Sequence, residues 1–213
     1  YQSLGVALRP LLRRQSSVVL SRFDSPEFTS AFEHLGADIR WSQPDLGTGE
    51  LPAFQYADLV DGSTRFVAFS AAHELLGTVT PASEIIDSVH ERSRAWVLVD
   101  VSAIAPYRLL DFDAIGADIL GVDVGALGGP QMAALVFRDT AMFRRLDELV
   151  VGPVSAGLAG GVGPLVDHLA ELAGGERGSR RVRLTRSMEA LSGYMEDLLS
   201  LIHISEPTRR YAI

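Results

Sequence analysis

The 213-residue chain contains no cysteine and no lysine. Without cysteine it can form no disulfide, and it offers no thiol nucleophile. All 19 of its Lys+Arg residues are arginine. A guanidinium group cannot replace a primary amine as the partner of a carbonyl in a Schiff base. The composition therefore excludes lysine-based covalent catalysis by these residues.

Positive charge is also scarce, since the formal net charge is -8 and the pI is near 5.1. Such a balance argues against nucleic acid and anionic membrane surfaces as partners. The longest uncharged stretch, Leu149 to Val166, contains five glycines and two prolines, so it is expected to be a loop and not a membrane span. No secretory signal or transit peptide is recognisable, and we expect a cytoplasmic protein.

The central part of the sequence has the pattern of an α/β sheet. An apolar run rich in β-branched residues, Trp96 to Val99, is predicted to be buried and ends at Asp100, and a second apolar run, Ile119 to Val122, ends at Asp123. A glycine-rich loop then leads to a third strand, Ala133 to Phe137. Since the carboxyl ends of parallel strands face the ligand crevice of such sheets, Asp100 is the first candidate for a functional residue.

Strand and helix patterns alternate along the rest of the chain, which predicts a mostly parallel sheet with right-handed crossovers. Further strands are predicted at Ser17 to Ser21, Ala37 to Trp41 and Arg65 to Ser70. Gly5 to Arg14 is predicted to be the end of a helix. Further helices are predicted from Pro26 to Leu35 and over Ala82 to Arg94, Thr140 to Val150 and Leu165 to Ala173. A last long helix carries an apolar seam of Leu184, Met188, Leu191, Met195 and Leu198, whereas Gly157 to Gly163 is predicted to be a flexible loop.

Several short motifs surround this centre: Asp100, Pro106-Tyr107, Leu110-Asp111, Gly116-Ala117-Asp118 and Gly129-Pro130. In this order and spacing they resemble the class V aminotransferase and cysteine desulfurase family, whose members are pyridoxal-phosphate (PLP) enzymes of fold type I. The resemblance implies a three-layer αβα fold with a mostly parallel sheet, of the PLP-dependent transferase large-domain type. It also implies PLP as cofactor, a small-molecule ligand and a homodimer.

The same resemblance assigns cofactor-binding positions, and most of them carry altered residues. Asp100 would pair with the pyridinium nitrogen. The ring-stacking position is Ser25, the position facing the ring hydroxyl is Glu74, and the position three residues after the aspartate is Ala103. The phosphate-binding serine is replaced by Asp123, the adjacent histidine by Gly125, and the "PH" histidine by Tyr107. The Schiff-base lysine falls on Ala126, so no catalytic residue of the usual kind is present.

Domain boundaries follow from the same comparison. We expect residues 1–198 to be a partial large domain, truncated at both ends, without the family's amino-terminal part and small carboxy-terminal domain. Residues 199–213 begin with LSLIHISEPTR, which is similar to translated read-through of a sequencing adapter, and are expected to be an artefact.

Three functions are compatible with these observations. The first is a family member that has lost covalent PLP catalysis. The second is an active enzyme that runs lysine-independent chemistry in the same pocket, and the third is a non-catalytic, dimerising ligand-binding module. Retained acid–base geometry, for example Glu74 and Asp123 near enough to Asp100 to perturb each other's pKa, would favour the second. A pocket filled by apolar side chains at Ala103, Ala126 and Leu127 would favour the third.

Overall fold

A computed structural model describes Leu12 and residues 16–33, 36–142, 156–175 and 177–205. The amino-terminal half alternates strictly between strands and helices. In chain order the elements are β1 (Ser17–Ser21), α1 (Pro26–Glu33), β2 (Asp38–Ser42), α2 (Phe54–Leu59), β3 (Thr64–Ser70), α3 (Ala82–Arg92), β4 (Trp96–Asp100), α4 (Phe112–Ile115), β5 (Ile119–Asp123), β6 (Ala133–Phe137), α5 (Ala156–Gly160), α6 (Val162–Glu171) and α7 (Arg180–Ser205).

The six strands form one sheet in the order β2-β1-β3-β4-β5-β6. The strands from β2 across to β5 all run parallel to one another, and the edge strand β6 is antiparallel to β5. The connection over residues 124–132 is too short for a parallel crossover, which needs a dozen or more residues, so β6 must turn back. The prediction of a mostly parallel sheet is confirmed. The carboxyl ends of β1, β3, β4 and β5 consequently meet at one edge.

Two apolar layers cover the faces of the sheet, because successive strand residues point to opposite sides. On one face α2 and α3 pack on the strands, with Tyr56, Ile85 and Val89 buried among the strand residues. On the other face Phe28 and Phe32 of α1 pack on a second buried cluster. These layers hold the strand ends in a fixed frame, on which the loops that form the site are mounted.

The prediction of a flexible loop over Gly157 to Gly163 was wrong. Residues 156–160 form α5, and α6 begins at Val162. A Cβ built at Gly129 would lie 2.6 Å from Leu165 Cδ2, and one at Gly161 would lie 2.9 Å from Pro130 Cγ. Gly129 and Gly161 therefore allow close packing of α6 against the loop after β5, whereas a Cβ at Gly160 or Gly163 would meet nothing within 4 Å. A sequence pattern of small residues does not distinguish close packing from flexibility.

α6 and α7 pack against each other across the break at Gly174 to Gly178. The Ser187 hydroxyl donates to the Ala170 carbonyl at 3.1 Å, and Arg180 pairs with Asp167 at 2.7 Å. Of the predicted seam, Met188 is buried, three members are half-buried, and Leu198 is exposed. α7 continues past Leu198 to Ser205, so the boundary between 198 and 199 stays a prediction. The predicted helices over 5–14 and 140–150 lie largely outside the described residues.

None of the helices in the described ranges combines the length and the apolar character that a membrane crossing requires.

Candidate functional site

A cavity of about 650 Å³ opens where the carboxyl ends of β1, β3, β4 and β5 meet. Its walls come from the loop after β1, the loop after β3, and the first residues beyond β4 and β5. The lining residues are Arg22, Phe23, Asp24, Ser25, Pro26, Glu27, Ser70, Ala72, His73, Glu74, Leu75, Asp100, Ser102, Ala103, Asp123 and Ala126. A neighbouring cavity of about 460 Å³ shares His73, Glu74 and Ala126 and extends to Tyr107. Together the two cavities have the size of a small-molecule site.

Asp100 lies at the centre of the lining, as the last residue of β4, and is 6% exposed. Its Oδ1 accepts hydrogen bonds from the backbone N–H of Ser102, at 3.0 Å, and from the Ser102 hydroxyl. The same hydroxyl accepts the backbone N–H of Asp123 at 2.9 Å. Ser102 thus ties the ends of β4 and β5 together and fixes the orientation of the Asp100 carboxylate.

Most of the positions selected from sequence line this one cavity. Ser25, Glu74, Ala103, Asp123 and Ala126 all lie in its wall with Asp100. Since Ala103 and Ala126 end in methyl groups, they leave the cavity open rather than filling it. Leu127 turns away and packs against the core.

Two positions lie elsewhere. The backbone N–H of Gly125 donates to Asp123 Oδ1 at 2.8 Å, and Gly125 lies behind Asp123, outside the lining of either cavity. Tyr107 belongs to the smaller cavity and is 51% exposed. The roles that the family resemblance gives to these positions stay predictions.

Sequence reasoning missed Asp24 as a site residue. The loop after β1 folds over the end of β3, where Asp24 Oδ1 accepts the Ser70 backbone N–H at 2.8 Å. Ser70 is the register partner of Asp100 in the parallel β3–β4 pair, so Asp24 is anchored to the strand end next to the one that carries Asp100. Asp24 Oδ2 is buried and has no hydrogen-bond partner. The available signal was an acidic residue in a loop that leaves the same sheet edge as Asp100.

The environment of Asp24 changes its acidity. Burial raises the pKa of Asp24 from 3.8 to about 7, hydrogen bonds from Ser70 oppose that rise, and the nearby Asp100 carboxylate adds to it. Both burial and a like charge disfavour the ionised form. Near neutral pH the site therefore combines a carboxyl group that can hold a proton with a second carboxyl group beside it.

The loop after β3 places His73 and Glu74 at the mouth of the cavity. The His73 ring contacts Phe23, with 4.2 Å between ring centroids. His73 Nδ1 accepts the backbone N–H groups of Leu75 and Leu76 at 3.3 Å each. The turn closes through Gly77, whose φ of 70° lies in the left-handed region. In the described part of the chain, no three or more His, Asp or Glu side chains are grouped to hold a metal ion.

Comparison with known proteins agrees with this architecture. The chain is 35% identical over 204 residues to an uncharacterized protein of Mycobacterium tuberculosis, an alignment that covers 88% of this chain and 51% of the relative. The chain thus spans about half the length of this curated relative.

Solved structures show the same fold. Cysteine desulfurase CsdA from Escherichia coli superposes with a TM-score of 0.68 at 14% identity, over 80% of this chain and 51% of that one. C-DES with glycine covalently linked to its PLP cofactor superposes with a TM-score of 0.57 at 18% identity, over 67% of this chain and 40% of that one. The sequence profile of the class-V aminotransferases matches residues 7–140. The chain belongs to the aminotransferase class-V family.

Proposed function

We propose that this domain has lost the covalent PLP chemistry of its family and uses the cavity as a noncovalent small-molecule site. Ala126 carries the proposal. It lies in the cavity wall with Asp100 and Asp123, at the position that the family motif gives to the Schiff-base lysine. No side chain among the 213 residues can replace that amine, because the sequence contains no lysine.

The remaining side chains of the cavity match the chemical groups of PLP only in part. Asp100 is suited to a protonated pyridine nitrogen, since it is buried and fixed by Ser102. Glu74 and Asp123, however, place carboxyl groups at the positions that the resemblance gives to the ring oxygen and the phosphate. Like charges about 4 Å apart repel by roughly 4 kcal/mol at an effective dielectric constant near 20.

The backbone N–H of Gly125, next to the predicted phosphate position, is not available to a phosphate, because it already donates to Asp123 Oδ1. Ser25 offers no aromatic face for stacking. The residues of this chain therefore do not fit PLP as a whole, and we derive no reaction step through it.

The proposal is tested by adding PLP to the complete protein that carries this chain, followed by borohydride reduction and mass spectrometry of peptides. We expect no peptide of this chain to gain a pyridoxyl group. An Ala126→Lys variant serves as the matched control, since it restores the amine at the family position. A pyridoxyl group retained on a peptide of the unaltered protein would refute the loss of covalent chemistry.

A second function, lysine-independent acid–base catalysis, is favoured by one observation. Asp24 has a pKa raised to about 7 and lies beside Asp100 in an open cavity. Paired carboxyl groups with separated pKa values are the usual equipment of a general acid and base. A bell-shaped rate profile whose alkaline limb near pH 7 disappears in Asp24→Asn, for any substrate that the protein turns over, would support this function.

We also propose that the protein is a homodimer, with the cavity mouth near the interface. The supporting observation is a set of exposed apolar side chains on the loops around the mouth: Leu46, Leu75, Leu76, Val79 and Tyr107. These loops contact each other, since the Thr78 hydroxyl donates to the Gly49 carbonyl at 2.9 Å. Exposed apolar groups concentrated in one region are typical of interfaces. Sedimentation of the complete protein and of its Leu75→Asp variant tests the proposed dimer, and a monomer in both would contradict the proposal.

A cytoplasmic location stays a prediction.

A further inference from the structure

The larger cavity is strongly acidic. Its wall contains the carboxyl groups of Asp24, Glu27, Glu74, Asp100 and Asp123. Arg22 is the only arginine in that lining, and its guanidinium carbon lies 3.8 Å from the centroid of the Trp41 ring, so one positive charge faces five carboxyl groups. A cleft lined by charges of one sign concentrates ligands of the opposite sign.

A second observation is independent of this charge count. Asp24 Oδ2 is buried and unpartnered, whereas Oδ1 of the same group is held by Ser70. A buried polar oxygen without a partner costs about 1–3 kcal/mol, and such atoms in native proteins call for an explanation. A hydrogen-bond donor supplied by a ligand would remove this cost.

The backbone fixes where that donor must lie. Asp24 is anchored on Ser70, Ser70 is paired in register with Asp100, and Asp100 is held by Ser102. The two carboxyl groups interact electrostatically across this short span. A positively charged N–H group between them would satisfy Asp24 and neutralise the repulsion at once.

The rest of the wall indicates an organic ligand and not a bare metal ion. The cavity encloses about 650 Å³ and includes Phe23, Pro26 and Leu75 together with three alanines. A metal ion would leave most of this volume and all of the apolar wall unused. Hydrocarbon attached to the cationic nitrogen would cover it.

We propose that the cavity binds a small organic cation, whose charged nitrogen donates hydrogen bonds to the carboxyl groups of Asp24 and Asp100. This assignment rests on the proposed noncovalent function of the same site. It also names the ligand class, which is opposite in charge to PLP.

Calorimetric titration of the complete protein with putrescine and with 1,4-butanediol tests the assignment, because the two probes have nearly the same size and differ in charge. At pH 8 and low salt we expect putrescine to bind at least about tenfold more tightly than the diol. Asp24→Asn should weaken putrescine binding by about tenfold or more. Asp61→Asn, which removes an exposed charge outside the cavity lining, should change it by less than about threefold.

Equal binding of the two probes, or no binding of either, would overturn the assignment, as would an unaltered affinity in Asp24→Asn. Tighter binding of MgCl₂ than of putrescine would also overturn it and indicate a metal site. Circular dichroism of Asp24→Asn verifies that the variant is folded. Covalent PLP capture is read separately by borohydride trapping, so failure of the cation site is distinguishable from failure of the proposed function.

Discussion

Replacing Asp24 by asparagine should change how the stability of this protein depends on pH. The native Asp24 carboxyl group holds its proton up to a pKa of about 7, whereas in the unfolded chain it loses the proton near its ordinary value of 3.8. Between these two values the native state binds more protons than the unfolded state. The free energy of unfolding therefore falls as the pH rises through this window.

The magnitude follows from the same two values. One unit of pKa corresponds to about 1.4 kcal/mol, so the stabilisation that is fully present below pH 4 and lost above pH 7 amounts to about 4 kcal/mol. Asparagine imitates the protonated group, since its side-chain oxygen can still accept the Ser70 N–H. We expect Asp24→Asn to match the unaltered protein near pH 4 and to exceed its stability by up to about 4 kcal/mol at pH 8.

Urea unfolding of both proteins at intervals from pH 4 to 8 measures this difference. The other charged groups that face or line the site, Asp100, Asp123, Glu74, Glu27, His73 and Arg22, are the same in both proteins and largely cancel in the comparison. Asp61→Asn is the control. A hydroxyl from Ser63 and the Arg40 guanidinium hold the pKa of the Asp61 carboxyl well below its usual range. Asp61 is therefore ionised throughout the range from pH 5 to 8, and its variant should run parallel to the unaltered protein there. Parallel curves for Asp24→Asn would refute the burial of this carboxyl group.

Three further substitutions test the packing that positions the site. Gly129→Ala should lower the free energy of unfolding by about 1–3 kcal/mol, because its Cβ would meet Leu165 Cδ2 at 2.6 Å and the Val124 carbonyl oxygen at 3.0 Å. Gly160→Ala is the control, since a Cβ there meets nothing within 4 Å, and it should leave the free energy of unfolding unchanged or raise it by up to about 1 kcal/mol. Equal effects of the two substitutions in thermal or urea unfolding would contradict the close packing at Gly129. Ser102→Ala should lower the free energy of unfolding by about 1–3 kcal/mol, since it removes the hydroxyl that donates to Asp100 Oδ1 and accepts the Asp123 N–H. A loss below about 0.5 kcal/mol would mean that the hydroxyl does not join the two strand ends. Tyr56→Phe should lower the free energy of unfolding by about 1 kcal/mol, because it removes the buried hydroxyl that accepts a hydrogen bond from the Ser42 hydroxyl at 3.0 Å. A free energy of unfolding equal to that of the unaltered protein would exclude this bond.

Much of the sheet was predictable from local sequence, because buried parallel strands are short apolar runs that end abruptly. Trp96 to Val99 and Ile119 to Val122 fall within β4 and β5, and the acidic residue after each run is the last residue of its strand. The direction of β6 was not predicted, although the short connection before Ala133 already excluded a parallel crossover. Asp111 caps α4, since its side chain accepts the N–H groups of Asp113 and Ala114.

The site was only partly predictable, for a physical reason. Asp100 and Asp123 could be placed from strand ends alone. The pairing of Asp24 with Asp100, by contrast, depends on β1 and β4 lying on either side of β3, which is a property of the strand order. The function of Ser102 as a link between two strands likewise arises only when β5 lies beside β4. The glycines near α6 were misread because close packing and flexibility favour the same residue.

We propose that this member of the aminotransferase class-V family has an acidic, lysine-free cavity that takes a cation in place of a covalently bound PLP. A competition experiment on the complete protein, in which putrescine binding is followed by calorimetry with and without PLP, separates the two ligands. We expect tight putrescine binding that Asp24→Asn weakens, little effect of PLP, and no aldimine absorbance. An aldimine band on addition of PLP, with putrescine excluded from the site, would contradict it.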